Sequence, residues 1–470
     1  MLHPSKNIRE RRLPKRSAIA GRTTAGLSGF ASYRWPAYRW PAYRWPAYRW
    51  YVLALLTLVQ TCHGMDRAVV GLVLKPIGDE FHLTGQQLGL LAGLAYGLPF
   101  ALAAIPFGFA VDRANRKIVL SMALTAWSGA TALCAAATGY WSLLAGRAAV
   151  GVAEAGGSPT GISILSDYFG SERRATAIGI WYLSAGIGFA IAFFAGGLIV
   201  TAHGWRMTFL LASLPGLLLV PILLLTLREP RRGGLDVVEA APQSSLWPRL
   251  RELLSRPGIA LGIAAITCIA TGIYGMSTWL ATFLVVRHGL PLAQAGTIVA
   301  IAYGLLGSIG GLGAGWGVDR INARRGGFDP ARTARIGAVI PLLTAASGLG
   351  AMATGNVHLA IGCIMGAGLF SSSYNGPVNA MIVTQAGPNL RGLAISCVQT
   401  SANLIGVGLG TWLIGRISDE VGGRDGLAWG IAAAMLFCVA GGILLLLAAR
   451  QIRGSQIRAS QNFTPDLPRN

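Results

Sequence analysis

The 470-residue chain is 53% hydrophobic and only 12% charged, whereas a soluble protein of this length carries roughly twice that charge. Its 39 Lys and Arg against 18 Asp and Glu give a net charge of +21. The basic residues crowd into the first fifty positions and into short loops, which is the pattern of membrane topology and not of a nucleic-acid-binding face. All six cysteines lie in apolar stretches without metal-ligand spacing. A Walker-type loop and a nucleophile–base motif are both missing, so neither an enzyme nor an ATP-driven pump is expected, and no cofactor or metal.

The chain starts with a basic segment, residues 1–49, that contains YRWPAYRWPAYRWPAYRWY from Tyr33 to Tyr51. It has no short apolar region with a cleavage site, so a removable signal peptide is not expected. The five-residue period does not match 3.6 residues per turn, and Pro36, Pro41 and Pro46 exclude a continuous amphipathic helix. The copies read as a tolerated tandem expansion with incidental affinity for membrane lipids. The last copy serves as the entrance to the first span, and the repeat is not part of the working machinery.

Apolar runs then predict spans at 50–74, 86–110, 118–138, 141–167, 175–201 and 206–227, and again at 258–286, 292–318, 333–354, 357–384, 392–417 and 427–449. The expected architecture is an all-α membrane protein of twelve transmembrane helices in two pseudo-symmetric six-helix bundles, 50–227 and 258–449. A linker, 228–257, joins them, and a tail, 450–470, follows. In the linker, Leu246, Leu250, Leu253 and Leu254 share one helical face, which predicts a short amphipathic helix. Arginines and lysines follow spans 2, 4, 6 and 8, so both termini and the linker are expected in the cytoplasm.

Two matching stretches support the halving. GFAVDRANRK follows span 2 and GWGVDRINAR follows span 8, giving Gly108, Asp112, Arg113 and Arg116 in one half and Gly315, Asp319 and Arg320 in the other. Small residues allow close helix approach, and Asp with Arg can pair or cap helix ends, as in a cytoplasmic latch between bundles that rock apart.

A Gly-x-x-x-Asp-Arg-x-x-Arg-Lys motif between two six-helix halves resembles the major facilitator superfamily over nearly all of residues 50–450, with Asn115 where that signature usually has Gly. The Met-Asp-Arg of span 1, PIGDEFHLTGQQLGLLAGLAYGLPFALAAIPFG, LAGRAAVGVAEAGGSPT and SDYFGSERRATAIGIW are similar to its spinster-like branch. That branch is associated with export of lysophospholipids and sphingosine phosphate in animals, and it has many bacterial members. The resemblance implies alternating access by a monomer, and the bacterial look of the chain suggests an inner membrane.

Charges within the spans are the best functional candidates, because each is costly in lipid unless paired or facing water. They are Asp66 and Arg67 in span 1 and Arg147 and Glu154 in span 4. Arg147 and Glu154 are seven residues apart, which puts them on one helical face about 10 Å apart. Asp66, Arg147 and Glu154 are expected to form one polar cluster, with Asp66 and then Glu154 as proton-coupling candidates and Arg147 and then Arg67 for an anionic headgroup. The same charges would also serve as a fixed clamp between two helices. His63, one turn before Asp66, is either a packing residue or a titratable neighbour that shifts the pH range of coupling; the family more often has Asn near here. The second half offers neutral polar groups instead, Tyr274 with Ser277 and Asn375 with Asn379. Such a cavity suits a small amphiphilic or anionic substrate moved with protons. An organic-acid or drug exporter and a lipid sensor without turnover are the alternatives.

Overall fold

Within a bilayer every backbone polar group must be satisfied by the segment itself, which a helix does. The computed structural model describes residues 46–230, 246–387 and 389–461. Spans 1 to 3 are Pro46–Phe81, Gly85–Ala92 continuing as Leu94–Arg113, and Arg116–Ala135. Span 4 is Tyr140–Glu154 followed by Gly157–Tyr168, and spans 5 and 6 lie within Ser171–Thr226, divided at Gly204. Span 7 is Ile259–His288, and span 8 runs from Leu292 to Arg324 through a π-helical stretch, Ala300–Leu306. Span 9 is Pro330–Ala353, and span 10 is Val357–Ser371 with Asn375–Ala386. Span 11 runs from Arg391 to Val421 through a second π-helical stretch, Ala402–Val407, and span 12 is Gly426–Gln461.

Nine segments among the described residues are long and apolar enough to cross a membrane by composition alone, and one of them, Thr176–Thr226, holds two spans. The two spans outside that set are 1 and 4. Those are the spans that carry the interior charges, which lower their hydropathy.

Local signals explain the helix limits. Span 1 starts four residues earlier than the apolar pattern predicts, because Pro46 can occupy a first-turn position where its missing N–H is not used. The last Tyr-Arg-Trp copy is then helical and anchored: the Tyr48 hydroxyl donates to the Thr226 carbonyl at 2.7 Å, and the Trp50 ring meets Phe169 edge-on at 5.4 Å. The earlier copies lie outside the described residues. Thr84 and Gln87 form a capping box at the start of span 2. Asn115 caps span 3 by accepting from the Ile118 N–H, so an Asn at this position has a local reason. Gly204, at φ 82°, turns the chain between spans 5 and 6. The linker helix forms over Leu246–Ser255; it buries Leu253, and Arg249 donates to the Asn389 carbonyl at 3.0 Å, docking it on the second half.

Spans 1 to 6 pack as one bundle and spans 7 to 12 as the other. The halves meet through span 2 against 11, span 5 against 8 and span 1 against 7. Both ends of the described chain lie on one face, here the terminal face, and the close approaches between the halves concentrate toward the opposite, remote face. Gly85, Gly89, Gly93 and Gly97 recur every fourth residue along span 2 and lie against the backbone of span 11; a Cβ at Gly89 would collide with the Thr411 carbonyl. The Asp419 carboxylate of span 11 accepts hydrogen bonds from the N–H groups of Gly85 and Gln86, each at 2.7 Å, capping span 2 from across the interface.

The terminal face differs. Space is open beside Gly108 of span 2, Gly179 of span 5 and Gly315 of span 8. The two Asp-Arg stretches expected to latch the halves are not joined here by any described ion pair or hydrogen bond. Arg116 is buried within its own half, donating to Asp167 at 2.6 Å, Glu229 at 2.8 Å and Ser163 at 2.9 Å, and so holds the start of the linker to spans 3 and 4. Arg320 stacks on Trp316 of its own helix at 5.3 Å, and Asp319 is exposed. The side chain of Asp112 is outside the described residues.

Replacing Gly89 with Leu is expected to hold spans 2 and 11 apart. Spin labels at positions 82 and 424, on the remote loops of the two halves, should report a longer distance in the variant; an unchanged distribution would contradict the closure described.

Candidate functional site

His63, Asp66 and Arg67 are three and four residues apart, so span 1 presents them on one side. Span 4 presents Arg147 and Glu154 two turns apart, with Gly151 between them. A Cβ at Gly151 would collide with the Tyr96 carbonyl, so this glycine lets span 2 come close enough to add Tyr96 to the group. The charges are then sealed from solvent: Asp66 is 1% exposed, Arg147 2%, Glu154 0% and His63 5%.

Glu154 stands at the centre. Its Oε2 lies 3.0 Å from Nε2 of His63 and accepts a 2.7 Å hydrogen bond from the Tyr96 hydroxyl, while Oε1 has no hydrogen-bond partner among the described residues. Two guanidiniums lie over the Tyr96 ring, that of Arg67 at 5.1 Å and that of Arg147 at 5.4 Å. Arg67 also donates to Oδ1 of Asn403 at 2.7 Å, reaching across to the second half. Asp66 is within electrostatic reach of Arg147 and Glu154 and beside Thr131 of span 3, yet neither of its oxygens accepts a hydrogen bond from a described group. Nε and Nη1 of Arg147 are likewise unpartnered, and none of the described ion pairs joins Arg147 to a carboxylate.

Two cavities flank this group. The larger lies between the halves: Arg67, Arg147 and Tyr96 form its charged wall, and Phe189, Phe193 and Tyr274 its aromatic one. Phe189 and Phe193 stack at 4.7 Å. The smaller cavity, inside the first half, is lined by Gln60, His63, Trp127 and Trp181 and has room for about one water molecule.

The structure thus brings His63, Asp66, Arg67, Arg147 and Glu154 together, and sets Tyr274 and Ser277 on the opposite wall of the larger cavity. The Ser277 hydroxyl itself donates to the Tyr274 carbonyl at 3.1 Å. Asn375 and Asn379 are not in either lining. They sit further toward the terminal face, and each donates to a carbonyl of the chain three or four residues earlier, Asn379 at 2.8 Å.

Tyr96 and Asn403 were not among the residues singled out from the sequence. Tyr96 carried a signal, a phenol in an apolar span between Gly93 and Gly97. Asn403 carried a weaker one; it falls in the π-helical stretch of span 11, a distortion that recurs at functional sites. Chemically, the group offers carboxylates able to hold a proton and guanidiniums able to hold an anion, at the edge of a cavity with aromatic walls.

Comparison with known proteins places the fold. The Major Facilitator Superfamily profile matches residues 56–411. An MFS-type efflux pump of Mycolicibacterium smegmatis is 24% identical over 405 residues, covering 86% of this chain and 90% of that protein. The sphingosine-1-phosphate transporter SPNS2 of Danio rerio is 30% identical over 233 residues, covering 47% of this chain and 45% of that protein. A crystal structure of a bacterial homolog of the human lysosomal transporter spinster, inward-facing and unoccupied, superposes with a TM-score of 0.76 at 25% identity, covering 87% of this chain and 98% of that one. The chain belongs to the major facilitator superfamily: it is a membrane transporter similar to the spinster-like members, and not an enzyme.

Proposed function

We propose that this chain is a proton-coupled secondary transporter working by alternating access, and that its substrate is an amphiphile with an anionic head, such as a lysophospholipid. The observation that carries this reading is the larger cavity, where Arg67 and Arg147 face aromatic side chains. A guanidinium can bind a phosphate or carboxylate through two parallel hydrogen bonds. Phe189 and Phe193 offer an apolar surface for an acyl chain. Asp66, buried beside the same arginines without a hydrogen-bonded partner, is the first proton carrier in this scheme, and Glu154 the second.

Basic loops at the terminal face support a cytoplasmic side for that face and both termini by the positive-inside rule, and the membrane in this scheme is a bacterial inner membrane. Closure at the remote face then corresponds to a carrier open to the cytoplasm. In this scheme the protein works as a monomer. Export of an organic acid or drug is the second reading, favoured by the similarity to an efflux pump. The cavity chemistry is the same for both, and flux of matched substrates separates them. Flux at all separates either from a sensor that binds without turnover.

Proteoliposomes loaded with labelled lysophospholipid should show flux that rises with an imposed pH gradient, and Asp66→Asn should abolish the gradient dependence; gradient-driven flux persisting in that variant would remove Asp66 from coupling. Replacing Arg147 with Lys keeps the charge and removes the planar fork. Substrate affinity should weaken by about 10- to 100-fold, the loss expected when a charge-assisted hydrogen bond worth about 1.5–3 kcal/mol is lost. Equilibrium binding to the purified protein measures this.

A further inference from the structure

His63 and Arg147 do not touch the same cavity. His63 lines the small cavity inside the first half, and Arg147 lines the large one between the halves. Glu154 stands between them: its Oε2 is 3.0 Å from His63 and 2.7 Å from the hydroxyl of Tyr96, which belongs to the large cavity's wall. Arg147 is 2% exposed with Nε and Nη1 unpartnered, although a carboxylate sits two turns along the same helix. In this arrangement Glu154 is engaged by His63, and Arg147 is left for something else.

We propose that Glu154 exchanges partners between His63 and Arg147, and that the proton on His63 thereby decides whether Arg147 can hold the anionic head of the substrate. The inference deepens the reading of the same cavity given above and rests on it. Charge counting gives its sign. With Asp66 and Glu154 ionised, Arg67, Arg147 and a protonated His63 leave the cluster one positive charge in excess, which an anion neutralises. Loss of the His63 proton brings the cluster to neutrality. Glu154 then has no cationic imidazole beside it; Arg67 is held by Asn403, so Arg147, with two unpartnered nitrogens, is the cation left to replace it. Anion binding is therefore strong with His63 protonated and weak without, and by linkage the anion draws a proton onto the protein.

The titratable and charged groups around His63 include Cys62, Asp66 and Arg67 on its own span, Tyr96 on span 2, Cys134 on span 3, Arg147 and Glu154 on span 4, Tyr182 on span 5 and Tyr274 on span 7. Of these, Glu154 is the one in direct polar contact with the imidazole. Imidazole is the side chain that ordinarily changes charge near neutral pH. Its own cavity is separate from the large one that the substrate would occupy.

The test is binding of N-oleoyl taurine, whose sulfonate stays charged across the range, to the purified full-length chain between pH 6 and 8. N-oleoyl ethanolamine, with the same acyl chain and a neutral head, is the control. The Asp66→Asn background removes the other proton carrier. There the cluster falls from two excess positive charges to one when His63 loses its proton, so affinity for the sulfonate should weaken about tenfold from pH 6 to 8, roughly one charge–charge interaction, while the neutral control changes little. Adding His63→Asn should flatten the profile to within about twofold. Glu154→Gln, measured in parallel, should flatten it as well and serves if the His63 variant does not fold. A pH dependence that survives His63→Asn, or one already absent in the Asp66→Asn protein, would overturn the partner exchange and leave the substrate class standing. No binding of either amphiphile at any pH would overturn the substrate class, and the exchange with it.

Discussion

The first half of this membrane protein buries two carboxylates and the Arg147 guanidinium, with a half-buried Arg67 beside them, and much of its structure follows from compensating them. An uncompensated ion in such surroundings costs several kcal/mol. The chain meets that cost by convergence: span 1 and span 4 each supply one acid and one base, and Gly151 lets Tyr96 of span 2 join them. The Tyr96 hydroxyl donates to one carboxylate oxygen of Glu154, with Nε2 of His63 3.0 Å from the same atom, and Asn403 accepts from Arg67. Asp66 and Arg147 are left with unpartnered atoms in the same cluster. A clamp that only held helices together would be stronger with those atoms paired, so their incomplete pairing suits groups that change partners.

Asymmetry between the halves follows from the same constraint. The second half contributes Asn403, Tyr274, Ser277 and aliphatic surface, without a charge in its interior cluster of buried polar residues. It can therefore move relative to the first half without dragging an ion through lipid. The contacts that would break in such a movement are backbone approaches along the glycine ladder of span 2 and the Asp419 cap at its N-terminus. Arg67–Asn403 is the polar bond nearest the cluster that crosses the interface, so rearrangement at the charges and rearrangement of the halves share an element.

Fold and charges were legible because both are written in strong local contrasts. Long apolar runs predict helices, and the structure supplies the ends, with a turn at Gly204 and a cap at Asn115. Four ionised residues in such runs can only be functional or paired. Periodicity said less about partners across helices: Tyr96 and Asn403 are ordinary polar residues until the backbones of spans 2 and 11 are brought together. The expected latch illustrates the opposite limit. Two copies of one motif imply equivalent positions in the halves, but spacing along the chain does not say which groups each copy meets. Asn375 and Asn379 share a helical face as expected, yet depth along span 10, which spacing alone does not set, keeps them from the cavity wall.

The central claim is that protons and an anionic amphiphile move as linked cargo through this cluster. The most direct measurement entraps a pH-sensitive dye in proteoliposomes and imposes a gradient of the lysophospholipid alone. The account expects the internal pH to change with substrate movement, and the change to vanish in Asp66→Asn. Substrate movement with constant internal pH in the wild-type protein would contradict it, identifying an uncoupled carrier.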